Sequence, residues 1–183
     1  MSQESEDWMR RFHLGDETVA GTGELSVRRG AGPLAGVLCA LLRLPRTGDC
    51  VPVRVVVHRR PARRAGHTGP PPLVEHWVRD IGGHRLTTTQ VRTGPHGRER
   101  HGLLLVHTRT TATPGEVTVT QERAVLGAGP LAIPLPARAA PQASARAWTT
   151  SGADVRFRIE VRVALPVIGP LLSYSGHLDE AGA

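Results

Sequence analysis

The side chains best placed to do chemistry in this chain lie on a strand-like segment, Leu73–Ile81. Leu73, Glu75, Trp77, Arg79 and Ile81 share one face of its period-two pattern, because alternate strand residues point the same way. Apolar ends bracketing Glu, Trp and Arg suit the wall of a ligand pocket, which is mostly hydrophobic with a few groups that fix orientation. Val74, His76, Val78 and Asp80 occupy the opposite face. Parity therefore leaves two readings open, an inward pocket wall or an exposed Glu75–Arg79 pair of small value. Gln90 alternates with Leu86 and Thr88, and Tyr174 with Leu172 and Leu178. The Tyr174 ring should point inward, where its hydroxyl needs a partner. Glu75, Trp77, Arg79, Gln90 and Tyr174 are thus the candidate ligand-binding residues. Their chemistry would be to orient a carbonyl or polar head on an otherwise apolar molecule.

Other chemistries find little support. Nine histidines include no pair at His-x-His or His-x-x-x-His spacing, and two separated cysteines make no zinc pattern. No metal site is expected. Ser173 and Ser175 have no nucleophile elbow around them, so the catalytic residues are unknown. Glu122 shares a face with Thr118 and Thr120 and is expected at the surface, since a buried, unpaired carboxylate is costly. The glycine-rich Gly127-Ala-Gly129 forms no strand–GxGxxG–helix unit, and no cofactor is implied.

These groups need a scaffold, and the pattern of the chain supplies one. Phe157 to Val163 reads Phe-Arg-Ile-Glu-Val-Arg-Val, the alternation of a strand with one wet and one dry face. Weaker versions span 23–29, 51–58, 73–81, 84–93, 102–107, 117–125, 144–150 and 171–178, and the clearest runs 154–164. Glycine turns at Gly82-Gly83, Pro114-Gly115, Ser151-Gly152 and Gly169-Pro170 punctuate them. Close spacing and polar turns predict an antiparallel meander. About nine strands would curl into a barrel or strongly curled half-barrel rather than leave edges exposed. Pro33 opens one helix, in which Leu34, Val37, Leu38, Leu41 and Leu42 follow helical spacing; that stripe is expected to lie on the sheet. Residues 1–20 are polar apart from Trp8, Met9, Phe12 and Leu14, and form either a helical flap or a tail. The Pro-rich segment 127–141 is expected to cross along the rim, and 59–72 to be a long basic loop.

The 183 residues suit a single β domain over 21–180 behind that N-terminal segment. All 23 basic positions are arginine, and with abundant Gly, Pro and Ala this looks like a compositional bias. The formal charge of +7 is spread along the chain without interleaved aromatics, so no specific nucleic-acid partner is expected. Cys39 and Cys50 are expected as buried free thiols. The acidic N-terminus lacks a leader pattern, and the apolar run 34–42 is far below the ~20 residues of a membrane span. A cytoplasmic protein with no membrane span is expected.

Taken in order, several short motifs resemble one family. They are Gly23-Glu-Leu-Ser-Val-Arg-Arg-Gly30, Leu44-Pro45, Asp49-Cys-Val-Pro-Val-Arg-Val55, His76-Trp77-Val-Arg79 with Gly82-Gly83, and Pro134-Leu-Pro136. Val155-Arg-Phe157, Leu165-Pro166, Gly169 and Tyr174-Ser-Gly176-His-Leu178 complete the set. Residues 21–180 thereby resemble the uncharacterised bacterial domain of unknown function 4166, DUF4166. That resemblance implies possible association with a reductase or biosynthetic enzyme. Where the family pattern leads one to expect an acidic residue and Phe-Gly, this chain reads Glu99-Arg-His-Gly102, so a site shaped there would differ. The expected function is a small-molecule-binding barrel for an apolar or amphipathic metabolite such as a lipid, isoprenoid or polyketide. The alternatives are a cofactor-independent cyclase or isomerase of specialised metabolism, and a scaffold docking through 129–141 or the basic loop.

Overall fold

Alternation of aliphatic and polar residues over short segments leaves most strands one dry face, and ten strands close into a sheet around those faces. The computed structural model describes residues 3–62, 71–127, 129, 132–150 and 156–182. In chain order the elements are α1 (Gln3–Leu14), β1 (Val19–Arg29), α2 (Pro33–Leu41), β2 (Gly48–Pro61), β3 (Leu73–Ile81) and β4 (His84–Thr93). There follow β5 (His96–His101), β6 (Leu104–Thr113), β7 (Glu116–Leu126), β8 (Ile133–Pro134), β9 (Gln142–Thr149), β10 (Phe157–Leu165) and β11 (Gly169–Ala181). The strand order is β6-β5-β4-β3-β2-β1-β11-β10-β9-β7-β8, and β6 also pairs with β7. That last pairing closes ten antiparallel strands into a barrel and leaves β8 outside, paired to β7 at Val125 and Leu126.

The barrel expected from sequence is therefore present, with ten strands in place of nine. The extra one, β5, reads His-Gly-Arg-Glu-Arg-His and has no apolar alternation to betray it. Most of the basic loop (63–70), the Ser151-Gly152 turn and Asp154–Val155 lie outside the described residues. Where the turns are described, glycine chemistry fits. Gly82 and Gly83 have φ of 58° and 80°, the left-handed pair that a tight hairpin requires.

Closure brings β1 and β11 very close. A Cβ on Gly23 would sit 2.0 Å from the His177 carbonyl oxygen, and one on Gly176 would sit 2.0 Å from that of Glu24. The two glycines allow this approach, and Leu25 fills the space beside Gly176.

Because the strands alternate up and down, the barrel has two distinct rims. The lower rim holds α1 and the β4–β5 and β6–β7 turns. The upper rim holds α2, the β3–β4, β5–β6 and β10–β11 turns, and β8. At the lower rim α1 is a plug. Trp8, Met9 and Phe12 are buried in one core with Trp77, Phe157, Val57, Val117 and Leu178, stabilising the closed end by about 1.5–3 kcal/mol each. Trp8 meets Phe157 edge-on at 4.8 Å, and Phe12 meets Trp77 at 5.7 Å. Four of the six Phe, Trp and Tyr residues are thus spent on this plug.

Two expectations are corrected here. The α2 stripe does not lie on the sheet: Ala35 and Cys39 are the buried residues, while Leu34, Val37, Leu41 and Leu42 are exposed. Small side chains let the helix sit close to β11, where the Cys39 thiol reaches the Leu171 carbonyl at 3.2 Å; the leucines on the far side have nothing to pack on. Cys50 is exposed rather than buried, in a backbone conformation with φ of 52° at the start of β2.

Candidate functional site

The face carrying Glu75, Trp77 and Arg79 points into the barrel, which resolves the parity question in favour of the interior. Glu75 is fully buried. The register sets Arg59 on β2 and Gln90 on β4 directly opposite it. Its Oε1 accepts from Arg59 Nε at 3.0 Å and Arg92 Nε at 2.8 Å. Its Oε2 accepts from Trp77 Nε1 at 3.2 Å and from Gln90 Nε2. Burial pushes the Glu75 carboxyl up, but the Gln90 hydrogen bond and the two guanidinium groups together hold it below its ordinary value. The same two arginines tie down α1. Arg59 donates to the carbonyls of Arg11, Phe12 and Glu17, and Arg92 to that of Gly15, adding to the Gly15 amide that donates to the Arg11 carbonyl at the helix end. Glu75 and Gln90 are therefore committed to an internal network that anchors the plug.

One turn of the wall further up, the lining changes. Arg79 lies over the Trp77 ring at 4.8 Å and donates to the Thr88 hydroxyl at 3.0 Å. Among the described residues it has no carboxylate at ion-pair distance. The charge of Arg79 acts on Glu99, Tyr174 and His13, which places all four groups about one interior. Glu99 faces inward on β5, opposite Gln90. Burial alone would raise its pKa, but hydrogen bonding from His101 (3.4 Å) and the charge of Arg79 bring it down to about 2. Tyr174, opposite Val27 and Val161, is pushed up chiefly by burial. Its hydroxyl makes no hydrogen bond among the described residues. His13, at the end of α1, is stripped of water between Phe12, Trp77 and Phe157. That desolvation and nearby Arg59 lower its pKa to about 4, so it is neutral at pH 7, and its Nε2 is buried without a partner.

The opposite wall is aliphatic. Ile159 and Val161 on β10 and Ala145 on β9 point inward, and so does Val119 on β7. Inward residues near the lower rim, such as Val57, Val117, Ala147 and Phe157, are buried. Those nearer the upper rim, Leu86, Thr88, Ala145, Val161 and Tyr174, keep partial exposure. Other inward residues at the same end, Val27, Val53, Ile81, Val106 and Leu172, are buried, and Leu86, Ile159 and Tyr174 pack against that core.

The wall is breached from the side. β7 and β9 pair only from Glu116 to Thr120, then part around β8 and its flanking loop. A cavity of about 570 Å³ opens there. Its lining mixes inward-facing Ala124 and Ala143 with outward-facing Ser144 and Arg162, under Leu135 and Ala140, as expected for a gap through a sheet. The volume is in the range of small-molecule sites.

The barrel thus gathers all five sequence-derived candidates on its inner surface. Glu75, Trp77 and Gln90 share one hydrogen-bond cluster; Arg79 and Tyr174 stand above it. Sequence reasoning missed Glu99, His13, Arg59 and Arg92. Glu122 is exposed, with His96 at 3.4 Å. No group of three or more His, Cys, Asp or Glu side chains able to hold a metal occurs among the described residues. Among the described residues no helix is long and apolar enough to cross a membrane.

A family model described as domain of unknown function (DUF4166) matches residues 6–178. The match covers nearly the whole chain, and the protein belongs to that family. It includes most of α1, so the plug falls within the domain as the family defines it. No curated protein and no solved structure matches the chain.

Proposed function

For this DUF4166 barrel, we propose that the upper half of the interior binds a small amphipathic molecule of lipid, isoprenoid or polyketide type. Its apolar body lies against the aliphatic wall of β9 and β10, and an oxygen-bearing head meets Arg79 and Tyr174. One observation carries this reading: an inward guanidinium without a carboxylate partner stands near a phenol whose hydrogen bond is unmade. Two donors in a low-dielectric interior call for an acceptor, and a carboxylate, carbonyl or enolate oxygen supplies it. Trp77 contributes its ring beneath Arg79, while Glu75 and Gln90 hold that ring in place.

Titration with decanoic acid and with decanol, read by Trp77 fluorescence, tests the assignment. Decanoate should bind better than decanol. Arg79→Met should weaken decanoate by about tenfold or more, the loss of a hydrogen bond to a charged group, and Tyr174→Phe by a smaller factor. Equal affinity for acid and alcohol, untouched by both substitutions, would remove the proposal. A cyclase or isomerase would use the same two groups to orient a carbonyl. Recovery of a chemically altered compound after incubation with the protein would select that reading.

A further inference from the structure

Among the described residues the exposed large aliphatic side chains are not scattered; they lie at the upper rim. Four belong to α2 and the residue after it, Leu34, Val37, Leu41 and Leu42. Leu103 is in the β5–β6 turn, Ile133 on β8 and Val167 in the β10–β11 turn; Leu126 ends β7. Seven of the eight are more than half exposed, from Leu42 at 57% to Val167 at 86%. Among the described residues the lower rim and the barrel wall expose none. A ring of apolar tips confined to one end of a molecule is an interaction surface rather than ordinary surface scatter.

Charge identifies the partner. The connections that build this rim, residues 30–47, 82–83, 102–103, 127–141 and 166–168, contain Arg43, Arg46 and Arg138 and no Asp or Glu. Those three arginines are exposed and make no ion pair among the described residues. Two carboxylates flank the rim on the adjoining strand ends, one ion-paired and one hydrogen-bonded with its charge kept, against the three arginines. Asp49 pairs with Arg28 at 2.6 Å, and Asp80 accepts from the Gly83 amide at 2.9 Å. Residues 3–18, at the far end, carry five carboxylates against two arginines. A second copy of this rim would meet arginine with arginine. A surface that is apolar beneath and anionic on top meets both features.

We propose that the upper rim docks on an anionic lipid bilayer, with the tips of α2, Leu103, Ile133 and Val167 entering the headgroup–acyl boundary and Arg43, Arg46 and Arg138 meeting lipid phosphates. Peripheral binding of this kind adds buried apolar area to electrostatic attraction. In this pose the upper end of the barrel faces the lipid.

Co-sedimentation with vesicles tests it, using phosphatidylcholine alone and phosphatidylcholine mixed equally with phosphatidylglycerol. The protein should pellet with the mixed vesicles, less with the neutral ones, and less at high salt. Leu34→Ser/Val37→Ser/Leu41→Ser, all at exposed positions, should lower binding tenfold or more without changing the melting temperature. Each of Arg43→Gln and Arg46→Gln should lower it about fivefold, the worth of one basic residue at such a surface. Val161→Trp, which fills the interior and spares the rim, should still pellet; guest binding and lipid docking can then fail separately. The proposal is overturned if mixed vesicles carry down no protein. It is equally overturned if the triple variant pellets like the wild type, or if sedimentation equilibrium shows a dimer that the triple variant abolishes, since a second copy would then be what covers the rim.

Discussion

Glu75→Gln removes the negative charge that two guanidinium groups share. In the native barrel the Arg59 and Glu75 side chains are fully buried and Arg92 is 12% exposed. The amide can still take one or two of the four donors, but it leaves two cations facing each other with only the weaker attraction of Asp16 on Arg59. Breaking a buried pair by deleting one partner costs about 3–5 kcal/mol. For a chain of this length that corresponds to a fall in Tm of roughly 6–20 °C, at about 2–4 °C per kcal/mol. The loss should be concentrated at the lower rim, because Arg59 and Arg92 also hold the carbonyls that end α1. Near-ultraviolet circular dichroism of the Trp8–Phe12–Trp77–Phe157 cluster should therefore weaken before the strand signal does. Urea unfolding gives the free energy. Arg59→Met combined with Glu75→Gln should cost clearly less than the sum of the single changes, since the two residues are in contact. A loss below about 1 kcal/mol for Glu75→Gln, or strict additivity with Arg59→Met, would refute the claim that this carboxylate anchors the plug.

Other expectations follow from the same geometry. His13 stays neutral in the fold down to about pH 4, whereas the unfolded chain protonates it near its ordinary value of 6.5. Between those values the unfolded state binds more protons, so stability should fall as pH drops from about 6.5 to 4, by up to about 3 kcal/mol; His13→Gln should flatten that part of the urea-midpoint profile. Glu99 acts in a lower window: its stabilisation is complete above about pH 4.5 and is lost as pH falls towards 2, so Glu99→Gln should change acid unfolding only there. Gly176→Ala places a Cβ against the Glu24 carbonyl at the β1–β11 seam and should lower stability by several kcal/mol, or prevent folding, as judged by thermal melting. Arg146 pairs with Glu116 at 2.7 Å but is half exposed, and Arg146→Gln should leave the melting temperature nearly unchanged by the same assay.

The sequence is most legible where chain pattern and burial agree. Val51, Val53, Val55 and Val57 on β2, and the Gly82-Gly83 hairpin, could be assigned by parity and turn chemistry alone. Closure could be argued only from edge avoidance, because β5 carries five charged or titratable residues out of six and no aliphatic alternation. The α2 stripe misled for a definite reason. Helical periodicity says which residues share a face, but contact with β11 was decided by how closely Ala35 and Cys39 let the helix approach. The candidate site was half visible. Glu75, Trp77 and Arg79 advertise themselves by lying within five residues on one strand. Their partners do not: Arg59 is one of 23 arginines, and Glu99 sits in a segment that reads as a turn. His13 gains its character only when α1 enters the barrel. A signal for the plug was present in Trp8, Met9 and Phe12, since three large apolar groups on one side of a polar helix need something to bury them.

The most direct test of the central claim is native mass spectrometry of the gently purified protein, before and after addition of decanoic acid. The expected result is a one-to-one complex heavier than the polypeptide, released on denaturation, weakened in Arg79→Met and absent in Val161→Trp. A mass equal to the bare chain under every condition, or a complex that persists when Val161→Trp fills the interior, would contradict it.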